Sequence, residues 1–92
     1  MITAIVLVHA DAERIPETAQ AIADLEGVSE VYSCAGDVDL VAMVRVREHE
    51  QLADAIAGHL SRVAGVHSTT THIAFRSYSA GETASAFSVG LD

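Results

Sequence analysis

The sequence predicts an α+β domain with the element order β-α-β-β-α-β, because a strand-helix-strand pattern occurs twice along the chain. Val8 corresponds to Val46, an offset of 38 residues, and Gly27 corresponds to Gly65 at the same offset. The apolar run ITAIVLV returns as DLVAMVRV, and LEGVSEV returns as VAGVHST. Two such halves form the ferredoxin-like fold, in which a four-stranded antiparallel sheet carries two helices on one face.

The first half begins with a strand over residues 2–9, where the run ITAIVLV is rich in residues that favour strands. A helix follows over residues 12–26, since apolar residues recur there at helical spacing. Pro16 lies in its first turn, a position that tolerates the missing N–H, and Gly27 ends it. The second strand covers residues 28–35.

The second half follows a turn at Gly36-Asp37-Val38 and begins with a strand over residues 39–46. A helix over residues 48–63 comes next, although Arg47 and Glu48 stand where Ser, Thr or Asp would cap it better. Its predicted core face consists of Leu52, Ile56, His59, Leu60 and Val63. The fourth strand covers residues 66–77 and begins with the β-branched run HSTTT.

Length and composition are those of one small domain, with 92 residues of which half are hydrophobic. We assign residues 1–78 to this domain. The tail, residues 79–92, contains Phe87, Val89 and Leu91, which are too apolar for a disordered acidic end. We therefore expect the tail to pack on an oligomer.

The charge balance excludes whole classes of partner. The net charge is −8, from 13 acidic residues against 5 Lys and Arg. A polyanion is repelled, so we expect neither direct nucleic-acid binding nor binding to anionic membranes. Cys34 is the only cysteine, which fits a reducing, cytoplasmic location. The apolar N-terminal run is too short for a membrane span and lacks the basic residues of a signal.

The pattern of apolar residues along the strands predicts a dimer. In a sheet with helices on one side only, strands alternate between apolar and polar residues. Here the first and third strands carry apolar residues on both faces, and Ile5, Leu7, Val41 and Met43 lie on the face that the helices leave open. An exposed apolar patch of that size needs a cover. The same face of a second copy supplies it, in a dimeric α+β barrel with sheet packed on sheet.

Two segments are candidates for ligand binding. In the turn between the central strands, Gly36 lets the backbone approach a ligand, and Asp39 offers a carboxylate to an ammonium group. An ordinary strand connection is the simpler interpretation, because Gly-Asp pairs are common in turns. Thr69, Thr70 and Thr71 place hydroxyls on the fourth strand, where β-propensity alone also explains them.

Histidine placement does not predict a metal site. His9 and His67 come close in the ferredoxin-like order, but two ligands make half of a zinc site, and spacing supplies no third. His59 is predicted to lie in the core. No motif indicates a catalytic residue or a cofactor.

The block LEGVSEVYSCAGDVDLVAMVRV, together with VAGVHSTTTHIAF, resembles the effector-binding domain of the leucine-responsive/asparagine-regulator (Lrp/AsnC) family of transcription factors. The shared elements are a GV-x-x-V-y-x-x-x-G-x-x-D-l-l passage and a later GV-x-x-t-x-t strand, and the resemblance covers residues 1–78. It implies domains that dimerise through their sheets, assemble into rings and bind an amino acid near the interfaces. By that analogy the ligand-binding residues are Gly36, Asp39, Thr69, Thr71, His72 and Ile73.

Full-length members of the family carry an N-terminal helix-turn-helix, whereas Met1 here directly precedes the first strand. The resemblance thus implies a stand-alone, non-catalytic module that senses an amino acid and co-assembles with full-length regulators. An alternative is a small dimeric barrel enzyme, such as a monooxygenase or isomerase, because fold does not settle function. The chain has no Trp and only Tyr32 and Tyr78 to serve such a site. A third alternative is a pure assembly scaffold without a ligand.

Overall fold

Four strands form one antiparallel sheet in the computed structural model, which describes residues 1–80 of the chain. They are β1 (Ile2–Ala10), β2 (Val28–Ser33), β3 (Leu40–Val46) and β4 (Val66–Ala74). Their order across the sheet is β2-β3-β1-β4, which confirms the ferredoxin-like prediction. The predicted second and fourth strands extend slightly too far, to residues 35 and 77. The predicted packing of the tail falls almost wholly on residues outside the described part.

The two helical segments cross the same face of the sheet and differ in regularity. The first is a 3₁₀ turn (Ala12–Arg14) followed by helix α1 (Ile15–Ala23). The second begins as helix α2 (His49–Ala53), widens into a π-helix (Asp54–His59) and ends in a 3₁₀ turn (Leu60–Arg62). The uniform helix predicted over residues 48–63 is therefore wrong in detail. Among residues 1–80, no helix is long and apolar enough to cross a membrane.

The start of α2 is capped by a side chain that the sequence did not suggest. The Gln51 Oε1 atom accepts the backbone N–H groups of Arg47 at 3.0 Å and Glu48 at 3.1 Å. A glutamine at the third helical position reaching back in this way is one half of a capping box, and the Glu48 side chain completes it by accepting the Gln51 backbone N–H. It offsets the absence of Ser, Thr or Asp before the helix.

The hydrophobic core lies between the helices and one face of the sheet. Fully buried side chains include Val6 and Val8 from β1, Leu40 and Val44 from β3, and Leu60 from the second helical segment. His59, predicted to be in the core, is exposed. The wider π-helical turn rotates it away from the face that α-helical spacing predicts. Its ring Nδ1 atom instead bonds the Asp54 carbonyl at 2.8 Å.

The face opposite the helices carries a row of apolar side chains. Ile5 lies across from Met43, and Leu7 lies across from Val41, in the β1–β3 register. All four of these residues are half-buried in the single chain. We call them the open face. Their common placement agrees with the alternation of side chains along strands.

Candidate functional site

The loop of residues 34–39 is fastened to the end of β1. The Asp39 backbone N–H donates to the Val8 carbonyl at 3.0 Å, and the Cys34 N–H donates to the Asp39 carbonyl at 2.9 Å. The Asp39 Oδ2 atom accepts the Ala10 N–H at 2.8 Å. Asp39 thereby extends the β1–β3 pairing by one step, with a side chain replacing the backbone. Its carboxylate is held on a rigid support.

The second carboxylate oxygen of Asp39, Oδ1, takes no part in holding the loop. Oδ1 has no hydrogen-bond partner among residues 1–80, and the side chain is half-buried. A carboxylate accepts several hydrogen bonds at once. Asp39 can therefore hold the loop through Oδ2 and bind a cationic donor through Oδ1.

The tip of the loop is open to an approaching molecule. Gly36 has φ of +120°, a conformation that side chains rarely adopt, and no other atom lies within 4 Å of the position that a Cβ would take. Glycine suits this position because it has no side chain to oppose a positive φ. Gly36 is exposed and lies three residues before Asp39 in the same loop.

His9 ties the loop to two strands, a role that sequence analysis missed. Its Nε2 atom lies 2.8 Å from the Asp37 carbonyl oxygen, and its Nδ1 atom lies 3.2 Å from the Ser68 hydroxyl. The predicted neighbour, His67, falls at an irregularity of the β1–β4 register, where Ser68 takes the place opposite His9. No group of three or more metal-ligating side chains occurs among residues 1–80.

The candidate residues on β4 lie on both faces of the sheet. Thr69, Thr71 and Ile73 pair with the buried residues Val8, Val6 and Ala4, which places them on the helix side. His72 pairs with Ile5 and so lies on the open face. The Thr69 hydroxyl is 3.5 Å from that of Ser61, in the 3₁₀ turn after the π-helix. A single ligand on one chain cannot contact both sets directly.

Val8 relates Asp39 in the loop to Thr69 on β4. The Asp39 N–H bonds Val8 from one side of β1, and Thr69 pairs with Val8 from the other. Two strand spacings separate them, about 10 Å. Thr71 and Ile73 lie progressively farther along β4. The loop and Thr69 therefore lie at the same end of the sheet, on opposite sides of β1.

Two clefts lie elsewhere on the chain. One of about 600 Å³ runs between the end of α1 and the second helical segment, with Arg45, Arg47 and His59 in its lining. The other, of about 610 Å³, lies beside the open face at Met43 and Phe75. Neither cleft includes Gly36 or Asp39. Residues 34–37 of the loop are exposed, whereas Val38 and Asp39 are half-buried.

Comparison with known proteins identifies the family. Residues 3–83 match the model of the Lrp/AsnC ligand binding domain. A curated relative, the uncharacterized HTH-type transcriptional regulator PH1692 of Pyrococcus horikoshii, is 32% identical over 72 residues, covering 78% of this chain and 48% of that protein. The chain thus spans about half the length of this curated relative.

Solved structures share the fold. The protein TTHA0845 from Thermus thermophilus superposes with a TM-score of 0.80 and 42% identity, covering 87% of this chain and 100% of that one. The transcriptional regulator NMB0573 of Neisseria meningitidis, solved as a complex with L-Met, gives a TM-score of 0.75 at 14% identity, covering 86% of this chain and 53% of that one. With the family model matched over most of its length, the chain belongs to the Lrp/AsnC ligand-binding domain family.

Proposed function

We propose that this chain is a non-catalytic regulatory domain that binds a free amino acid and assembles as a homodimer. The observation that carries the proposal is the loop of residues 34–39, which combines an Asp39 carboxylate fixed through Oδ2 with the accessible backbone of Gly36, three residues earlier. Membership of a family of regulatory ligand-binding domains supports the same function.

The chemistry of the loop suits a zwitterion. The ligand ammonium group bonds Asp39 Oδ1, and the ligand carboxylate takes N–H groups around Gly36 or hydroxyls from β4. Charge-assisted hydrogen bonds of this kind are stronger than neutral ones where water is partly excluded. The L-Met bound to the Neisseria meningitidis regulator supports an amino acid as the ligand class.

The second chain completes the proposed site. The open face, Ile5, Leu7, Val41 and Met43, packs on the same face of a second copy, since half-buried apolar rows of this kind are usually covered. The ligand then lies between chains, where an open loop becomes an enclosed site. His72, which is on the open face, approaches the ligand only in such an assembly. Rings of dimers and co-assembly with full-length Lrp/AsnC regulators extend the same proposal.

A thermal-shift screen of the twenty amino acids at millimolar concentration tests the ligand. One or a few should raise the melting temperature, because binding to the folded state alone stabilises it. For a domain of this size, each kcal/mol of stabilisation by the ligand raises the melting temperature by about 4–8 °C.

The Asp39→Asn variant isolates the charge, because its amide oxygen still accepts the Ala10 N–H. It should keep the wild-type fold and lose the shift. Asp24→Asn is the matched control, since the Asp24 carboxylate also accepts one hydrogen bond, from Gln20, at 2.9 Å. If no amino acid stabilises the wild type, the sensor proposal fails and an assembly scaffold without a ligand takes its place.

A further inference from the structure

We infer that His9 is a positioning residue for the amino-acid site, holding the loop of residues 34–39 and the start of β4 in the geometry that receives the ligand. The inference rests on the proposed function, because it concerns the same site. His9 itself does not touch the ligand. It acts through Asp37 and Ser68.

The hydrogen bonds of His9 fix which ring nitrogen carries the proton. A carbonyl oxygen only accepts, so Nε2–H donates to Asp37 across 2.8 Å. In the neutral ring Nδ1 is then an acceptor, and the Ser68 hydroxyl donates to it across 3.2 Å. One ring therefore joins two segments that lie 28 and 59 residues away along the chain.

The two segments that His9 joins are those that carry the proposed ligand contacts. Asp37 lies between Gly36 and Asp39 in the loop, and Ser68 directly precedes Thr69 on β4. Asp39 anchors the base of the loop through Val8 and Ala10. The Asp37 carbonyl is the loop's anchor nearest to the Gly36 tip. Without His9, the described residues hold the loop only at its base, and the bonds of the Asp39 and Cys34 N–H groups there should open more often.

A loop that must be ordered when the ligand arrives binds it more weakly. Ordering flexible groups opposes association, so a loop held in place beforehand gains affinity. Loss of the His9 bonds should raise the dissociation constant roughly tenfold, the order expected for ordering one or two groups. Folding should be little affected, because the His9 side chain is exposed.

Three variants separate the two bonds of His9. His9→Leu removes both. His9→Gln can place an amide N–H near the Nε2 position and so retains the donor to Asp37, whereas His9→Asn reaches only toward Ser68. His49→Leu is the matched control, since His49 is an exposed histidine in α2, away from the loop. Each variant is made in the full chain.

Two measurements are made on every variant. The first is amide hydrogen exchange without ligand at Asp39 and Cys34, whose N–H groups close the base of the loop. The second is the dissociation constant of whichever amino acid stabilises the wild type. We expect His9→Leu and His9→Asn to exchange several-fold faster and bind about tenfold more weakly, with His9→Gln and His49→Leu close to wild type.

The outcomes separate the inference from the proposed function. Unchanged exchange in His9→Leu overturns the inference whether or not an amino acid binds. Faster exchange with unchanged affinity also overturns it, because the loop would then be held without consequence for binding. Weaker binding that His9→Gln restores supports it. If no amino acid binds the wild type, the proposed function fails and the positioning role fails with it, while exchange still reports on the His9 bonds.

Discussion

The hydroxyl of Thr18 donates a hydrogen bond of 3.1 Å to the carbonyl oxygen of Ala64, 46 residues later in the chain. Thr18 is 1% exposed and Ala64 is exposed, so this partly buried bond joins the interior face of α1 to the turn before β4. The adjacent Gly65 carbonyl accepts the Asp11 N–H at 2.8 Å. The end of the second helical segment is thus fixed onto the start of the first.

Replacing Thr18 with valine should destabilise the fold. Valine has nearly the same shape but cannot donate, which leaves the Ala64 carbonyl without its side-chain partner. We expect a loss of about 1–3 kcal/mol in the free energy of unfolding, measured by urea denaturation. Thr71→Val, at an exposed position of β4 on the face opposite the open face, is the control when no amino acid is present and should change that free energy by less than about 0.5 kcal/mol. Equal effects of the two substitutions would contradict a role for the Thr18 bond.

Gly65→Ala should be more harmful than the same change at another glycine. Gly65 has φ of +96°, and a Cβ there would collide with the Thr18 hydroxyl oxygen. Both effects disfavour the turn, and we expect a loss of about 1–3 kcal/mol in unfolding free energy. Gly58→Ala is the control, because no atom lies within 4 Å of its added Cβ and its φ is not positive. A Gly65→Ala protein as stable as Gly58→Ala would show that the turn relaxes freely.

Met43→Asp tests the open face as the dimer interface. An unpaired carboxylate in a buried apolar interface should cost several kcal/mol, on the order of 3–5. Light scattering should then find monomers, unfolding or aggregates in place of the dimer that we expect for the wild type. Ala21→Asp adds the same charge at an exposed position of α1 and should leave the assembly unchanged. A stable Met43→Asp dimer would move the interface to another surface.

The purified 92-residue chain should bind no DNA specifically. Its net charge is −8 per chain, which gives −16 for a dimer (two times −8). Binding driven by phosphate contacts requires clustered cations that release counterions. A gel-shift titration at low salt should show only free DNA, and a retarded band at submicromolar protein would contradict the prediction.

The fold could be predicted because its apolar periodicity is strong. The run from Ile2 to Val8 and its repeat ending at Val46 both form strands, as predicted. They are the two central strands of the sheet, whereas the second strand, expected beside the third at the centre, lies at the edge. The interior of the second helix could not be predicted in the same way. Helical spacing assumes 3.6 residues per turn, and the π-helix at Asp54–His59 breaks that assumption. His59 was assigned to the core for that reason.

The sequence predicted which residues form the candidate loop, but not the hydrogen bonds that hold them in place. The sequence indicated Asp39 and Gly36 as a possible ligand loop, and the structure shows how that loop is held. The bonds of Asp39 to Ala10 and of His9 to Asp37 and Ser68 depend on the register of β1 with its neighbours. Register between distant strands is a three-dimensional property, set by packing and by the irregularity after His9. These contacts could not be predicted, because the sequence does not reveal that register.

The strand order also determines when the protein can fold. β1 is made first but lies in the middle of the sheet, where Thr3 pairs with Arg45 on one side and with Ala74 on the other. Its second neighbour, β4, is therefore synthesised last of the four strands. Until then one edge of the nascent β1 lacks a partner, and the contacts that complete the sheet are all distant in sequence. Such contacts slow folding, and exposed strand edges invite association between unfinished chains. We expect a ribosome-bound fragment ending before β4 to be protease-sensitive, and protection to develop only when residue 74 has emerged from the ribosome.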